Sequence, residues 1–217
     1  MRRAIVILAL VWLISLAPAD SLNCRLAGTW FFGPGEAVTL DPSQDLAFLG
    51  SGRGVYVIDA SNPTQPNKLS EAIRPSGFVR GLCYENGHLF VATGEFGVAG
   101  AIEIWDVTTP SSPLLVSRFM APSLAYGVSV LDTFAYVAAY DSGLRILNIS
   151  DPTNPQEVGA YNTPGLALGV AVSGNFAYVA DRDSGLRIVD ISDPTDPQEV
   201  GFYDTPSRAL RVALSGN

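Results

Sequence analysis

Histidine and cysteine are almost absent from this chain: one histidine, His88, and two cysteines, Cys24 and Cys83, occur among 217 residues. A catalytic nucleophile needs a base beside it and a structural zinc ion needs four N or S ligands, so hydrolytic catalysis and a zinc centre both lack their parts. Charge is sparse, at 16% of residues, and acidic, with 21 Asp and Glu against 13 Lys and Arg. That balance disfavours nucleic acid and anionic membrane surfaces as partners. Long apolar runs are missing too. The longest covers the 13 positions 4–16, short of the ~20 a membrane-spanning helix needs. It follows Arg2 and Arg3 and precedes Ala17-Pro18-Ala19, the pattern of a secretory signal peptide cleaved after Ala19. Cleavage removes two arginines and no acidic residue, taking the net charge from −8 to −10. The expected location is secreted or extracytoplasmic, in the periplasm or at the cell surface, with no transmembrane helix left in the mature chain. Ser21-Leu22-Asn23 lacks the small residue that lipoprotein processing wants before Cys24, and Cys24 and Cys83 read as unrelated thiols rather than as a disulfide, although export would permit one.

What is present points to an all-β protein. Hydrophobic residues make up 47% of the chain, enough for a sizeable core. The 21 glycines and 15 prolines recur along the whole length, as many short strands and tight turns require. Self-comparison then decides the architecture. Residues 127–168 and 169–210 match at 29 of 42 positions without a gap. Two earlier copies keep the punctuation: Pro63, Pro110, Pro152 and Pro194 recur at spacings of 47, 42 and 42, each followed three residues later by another proline. The extra residues of the second copy fall in 93–101, where TGEFGVAGA stands in place of the shorter AYDSG and DRDSG turns.

The last full copy divides into four strands, GVAV from Gly169, FAYVA from Phe176, LRIVDI from Leu186 and EVGFY from Glu199, separated by Ser-Gly-Asn, Asp-Ser-Gly and a Ser-Asp-Pro-Thr-Asp-Pro connector. Both alternating faces of LRIVDI are aliphatic, which suits a sheet covered on both sides. A β-propeller of four-stranded antiparallel blades meets these conditions; an elongated β-solenoid, the main competitor, has coils of about half this length. The expected layout is a signal peptide at 1–19, a leading outer strand at 25–31, and blades at about 36–79, 80–126, 127–168 and 169–210. The start of a fifth blade is expected at 211–217, and the tally of strands leads to the expectation that the sequence is truncated at its C-terminus.

Asp141-Ser142-Gly143-Leu144-Arg145-Ile146 and Asp183-Ser184-Gly185-Leu186-Arg187-Ile188-Val189-Asp190-Ile191-Ser192-Asp193-Pro194 resemble the LVIVD-repeat family of exported and surface proteins of bacteria and archaea. The resemblance runs from Glu36 to Leu210 and implies a β-propeller without a settled biochemical role. The first copy keeps Val55-Tyr56-Val57-Ile58-Asp59 but lacks the preceding Asp-Ser-Gly. Trp105-Asp106 occurs once rather than per copy, unlike a WD repeat.

Candidate chemistry is thin. His88 takes the place of Phe134 and Phe176 in the other copies, so it reads as a structural residue at a core-aromatic position. Asp181 and Asp183 offer two carboxylates in one turn, the arrangement closest to a calcium site. The preceding copy has Ala139 instead of Asp181, however, and Asp before Ser-Gly is ordinary turn chemistry. No cofactor is therefore expected. In a meander blade the links between blades and the turns between second and third strands emerge on one face. That face collects 75–80, 122–126, 164–168 and 206–210 with 93–101, 140–142 and 181–184. Its candidate binding residues are Glu36, Arg80, Tyr126, Tyr140, Asp141, Asp181, Arg182, Asp183 and Arg208. The channel mouth reads Glu36, Arg80, Tyr126, Leu168 and Leu210, a variation that permits an asymmetric site. The expected role is a non-enzymatic interaction scaffold for a protein or glycan. The alternatives are the substrate-recognition part of a larger secreted hydrolase or oxidoreductase, and a structural spacer.

Overall fold

A computed structural model describes residues 35–41 and 43–214. The signal peptide, the leading strand at 25–31, Cys24 and positions 215–217 lie outside the described residues. Among the described residues, sixteen strands form four separate four-stranded sheets, each a simple antiparallel meander. The first blade holds β1 (Gly35–Asp41), β2 (Leu46–Ser51), β3 (Gly54–Asp59) and β4 (Asn67–Ile73). The second holds β5 (Val79–Glu85), β6 (His88–Glu95), β7 (Val98–Asp106) and β8 (Leu114–Met120). The third runs through β9 (Gly127–Leu131), β10 (Phe134–Ala138), β11 (Leu144–Asn148) and β12 (Gln156–Tyr161). The fourth runs through β13 (Gly169–Ser173), β14 (Phe176–Ala180), β15 (Leu186–Asp190) and β16 (Gln198–Tyr203). The first strands of successive blades, β1, β5, β9 and β13, lie side by side and line a central cavity of ≈310 Å³, which Arg211 and Val212 also border. Residues 211–214 carry no strand.

Period-two patterning places the core between the blades. Leu89 and Val91 of β6 face the first blade, in a cluster with Phe48, Val57 and Ile73, whereas their neighbours Phe90 and Ala92 join Val137 and Leu147 of the third blade. The alternation recurs in β10, where Ala135 and Val137 face blade two and Tyr136 and Ala138 face blade four. Every middle blade is thus buried on both sides.

The Asp that ends the third strand has a definite task. Asp59, Asp106 and Asp190 each accept the backbone N–H two residues on, as Asn148 does in the third blade. These Asx-turns start the connector to the outer strand. Asp151 and Asp193 repeat the device within the connector, accepting from both the N–H and the hydroxyl of Thr153 and Thr195. The connector then packs on the preceding blade: Ser117 Oγ donates to Pro152 O at 2.6 Å, and the equivalent Gly159 lies under Pro194, whose carbonyl oxygen a Cβ at position 159 would overlap.

Two expectations require correction. The nine residues 93–101 are not all turn; they lengthen the β6–β7 hairpin, with Thr93 paired to Ala101 and Glu95 to Val98 around a tight tip at Phe96-Gly97. Thr93 is a buried polar residue whose hydroxyl donates to Ala101 O and accepts from Ala101 N, both at 3.2 Å, within the hairpin. Phe176, treated as a core aromatic, is 39% exposed: the equivalent Phe134 packs against the cluster it shares with the blade that follows, and among the described residues no blade follows the fourth.

Candidate functional site

The links between blades hydrogen-bond to the β2–β3-type turns on one rim of the molecule. Tyr140 pairs with Ala167 and Arg182 with Ala209 as isolated antiparallel bridges, and Val79 N donates to Gly52 O at 2.8 Å. The opposite rim carries the short first turns, tied to the Asx connectors by Ala60 N to Asp45 O, Ile149 N to Thr133 O and Ile191 N to Asn175 O, each 2.8 Å.

Four of the nine candidate residues meet in a single cluster over blades one to three. Arg80 Nη1 donates to Glu36 Oε2 at 2.8 Å and its Nε to Gly94 O at 3.1 Å. The same guanidinium lies 5.4 Å from the Tyr126 ring centroid, within cation–π range. Tyr126 stacks on Tyr140 at 5.4 Å and 24°. Arg211 reaches the same place from the far end of the chain, donating to Glu36 O at 3.0 Å and Arg80 O at 3.3 Å. Tyr140 occupies the left-handed region at φ 50°, as Arg182 does at φ 48° in the next blade. The turn geometry imposes this strained conformation on both residues.

The other candidates are placed elsewhere. Arg208 Nε donates to Asp183 Oδ1 at 3.0 Å, and the half-buried Arg182 lies 3.6 Å from the other oxygen of Asp183, so the exposed Asp183 and Arg208 form a group with Arg182 at blade four. Asp141 is exposed and touches only Ser142, at 3.4 Å, among the described residues. Asp181 is not on the surface: it is 0% exposed. Its Oδ1 accepts from Thr163 Oγ1 at 2.6 Å and its Oδ2 from Gly165 N at 2.7 Å. Burial pushes its pKa up, against these hydrogen bonds and the nearby Arg187. Asp181 therefore pins the link between blades three and four, and its carboxylate and that of Asp183 serve different partners.

Several residues of the cluster escaped the sequence reading. Phe96, at the tip of the lengthened hairpin, is 69% exposed and meets Tyr140 edge to face at 6.0 Å and 84°. Phe78 lies beneath both Arg53, at 5.0 Å, and Arg80, at 5.8 Å, while Arg53 pairs with Glu95. Only cross-blade packing reveals these partnerships, since the residues come from three different copies. Glu103 was also missed. Fully buried, it accepts from Ser76 N at 2.9 Å, Arg118 Nε at 2.9 Å and Trp105 Nε1 at 3.1 Å. It holds the link between blades one and two as Asp181 holds the link between three and four.

His88 opens β6, half-buried, with Nδ1 3.2 Å from Asn86 O. It borders a second cavity of ≈180 Å³ near Phe90, Val130 and Asp132. Cys83 is a free thiol whose pKa burial raises to about 11, an inert rather than nucleophilic sulfur.

No curated protein matches the chain. Among solved structures it resembles the computationally designed Ika8 protein, with a TM-score of 0.66 at 15% identity over 85% of the chain and 54% of that protein. It also resembles the designed Ika4 protein, with a TM-score of 0.54 at 16% identity over 66% of the chain and 83% of that protein. At these identities the likeness concerns the fold alone, and the chain spans about half the length of the first. The model of the LVIVD repeat matches residues 34–71, 124–163 and 164–205, which is more than half of the chain and leaves out the second blade with its lengthened hairpin. Together with four meander blades whose third strands end in an Asx-turn, this match settles the family: the chain is a β-propeller repeat protein that belongs to the LVIVD-repeat family.

Proposed function

We propose that this propeller is an exported, non-enzymatic interaction scaffold that binds a protein or glycan through the rim bearing Arg80, Tyr126 and Tyr140. One observation carries the reading: aromatic and arginine side chains from three blades converge on that rim, and aromatics and Arg are the residue types that concentrate binding energy at interfaces. Export is supported by the charged start, apolar run and Ala-Pro-Ala of the first 19 residues.

The test is a biosensor measurement with the immobilised mature chain and a cell-surface extract of the source organism. Arg80→Ala on the proposed rim is compared with Asn154→Ala on an opposite-rim connector. Binding that Arg80→Ala weakens and Asn154→Ala leaves intact supports the reading. Equal binding by both variants, or no binding together with turnover of a substrate, overturns it.

A further inference from the structure

We infer that the corner formed by Phe96, Tyr140 and Tyr126 is a subsite for one pyranose ring of a neutral glycan. This rests on the proposal that the same rim is the binding face, and it names the ligand class.

The geometry comes first. Phe96 and Tyr140 meet at 84° while Tyr140 stacks on Tyr126 at 24°, so two ring planes stand nearly at right angles and form a corner. The ring of Phe96 is 69% exposed at the end of a hairpin extension that the third and fourth blades lack. Burial into a core cannot explain a ring held there. Tyr140 sits at φ 50°, where glycine would be unstrained, yet this position carries a large aromatic side chain.

Charge selects the ligand. Two of the three arginines beside the corner are ion-paired, Arg80 with Glu36 and Arg53 with Glu95. The third, Arg211, donates to the carbonyl oxygens of Glu36 and Arg80, and its charge is offset in formal count by the exposed Asp141 that follows Tyr140, so these groups sum to no net charge that would select an anion or a cation. Polar capacity nevertheless remains. The hydroxyls of Tyr126 and Tyr140 and Nη2 of Arg80 make no hydrogen bond to a described residue, whereas Arg80 Nε and Nη1 are engaged by Gly94 O and Glu36. A pyranose with equatorial hydroxyls matches this set. Its axial C–H groups form a weakly positive apolar face that suits the negative face of an aromatic ring. The hydroxyls at its edge both donate and accept, as the tyrosine hydroxyls, the guanidinium and the Glu36 carboxylate require.

An extended peptide fits less well. Peptides that add to a sheet use unpaired main-chain groups. Here the rim's N–H groups are engaged: Gly94 N with Phe78 O, Gly100 N with Ser123 O, Ala125 N with Thr93 O and Tyr140 N with Ala167 O. Recognition is left to side chains and ring faces.

The experiment is calorimetry, supported by saturation-transfer NMR, on the purified chain with four probes: cellohexaose, mannohexaose, N-acetylchitohexaose and, as the charged comparison, hexagalacturonate. Phe96→Ala removes an exposed ring, and Tyr140→Gly removes a ring while relieving backbone strain, so both variants retain the fold; circular dichroism and the melting temperature check this. The expected result is that at least one neutral hexasaccharide binds, that each variant weakens it by about tenfold or more, and that hexagalacturonate binds no better. Absence of binding by all three neutral probes, unchanged affinity in folded variants, or preference for hexagalacturonate overturns the inference. If no hexasaccharide binds while the surface extract still binds in an Arg80-dependent way, the glycan inference fails and the interaction-scaffold reading stands. Loss of both signals removes both.

Discussion

Replacing Gly159 with Ala should loosen the junction between blades three and four, and the same change at Gly201 should not. The two glycines occupy equivalent positions, opposite Ile146 and Ile188 in β12 and β16. A Cβ on Gly159 would overlap Pro194 O and come within 3.1 Å of Pro194 C and 3.3 Å of Pro197 Cδ. These are connector backbone and ring atoms, anchored by the Asx-turns of Asp190 and Asp193, so they cannot swing aside as a flexible side chain would. Overpacking of this kind costs about 1–3 kcal/mol, and the stiff neighbour argues for the upper half of that range. Removing a glycine from the unfolded chain returns about 0.5 kcal/mol, leaving Gly159→Ala about 2 kcal/mol less stable than the parent. At Gly201 a Cβ would meet only Ile188 side-chain atoms, at 3.8 and 4.0 Å, and only the gain of about 0.5 kcal/mol applies. The difference of about 2.5 kcal/mol corresponds to roughly 5–10 °C in melting temperature for a chain of this size. Scanning calorimetry of both variants measures it, with Gly159→Ser expected to behave like Gly159→Ala. Melting temperatures within about 2 °C of each other would show that the Pro194 connector does not sit on β12.

Further outcomes follow from the same contacts. Glu103→Ala strips the acceptor from Ser76 N, Trp105 Nε1 and Arg118; removing one partner of a buried pair costs about 3–5 kcal/mol, but Arg118 is 40% exposed and water can take over its charge, so about 2–3 kcal/mol is expected by urea denaturation. Asp59, Asp106, Asp151, Asp190 and Asp193 all have pKa values held below 3.8 by hydrogen bonds from the Ser or Thr two residues on. Their contribution is complete above pH 3.8 and is lost as pH falls through the lowered values, so stability should drop as acid is added below about pH 4. Asp181, raised by burial, acts in the opposite sense: its contribution is complete below 3.8 and declines as pH rises through its folded value. A pH series of melting curves on the parent and on Asp190→Asn should show a smaller acid loss in the variant; equal losses would contradict this assignment. In a Cys24→Ser chain, Cys83 should remain unlabelled by an aromatic disulfide reagent at pH 8 until denaturant is added, because its thiol has a pKa of about 11. Rapid labelling of the native chain would place Cys83 at the surface.

Much of the fold was legible because it repeats. Strand existence and order in the fourth blade follow from GVAV, FAYVA, LRIVDI and EVGFY, and the strands lie at Gly169–Ser173, Phe176–Ala180, Leu186–Asp190 and Gln198–Tyr203. Two-sided burial was legible in the aliphatics on both faces of LRIVDI. What stayed hidden is whatever one copy does to its neighbour. Each outer strand has a register shift beside its third strand, as at Ile146/Leu147 and Ile188/Val189, and no local residue pattern announces it. Asp181 looked like a surface ligand because it stands in a turn; its burial depends on Thr163 and Gly165 from the preceding copy. Phe96 stands in what the sequence presents as a turn insertion, and only the paired extension of β6 and β7 carries it to Tyr140. Arg80, Tyr126 and Glu36 were legible as a group because they fall at aligned positions of adjacent copies. The stacking among their side chains was not.

Which rim binds is decided most directly by hydrogen-exchange footprinting of the purified chain, with and without a polysaccharide-rich cell-surface extract. Protection on binding is expected at 76–80, 93–101, 122–126 and 140–143, where the arginine and aromatic side chains converge. Protection confined to 61–66, 108–113, 150–155 and 192–197 would instead put the ligand on the Asx connectors of the opposite rim and contradict the proposed binding face.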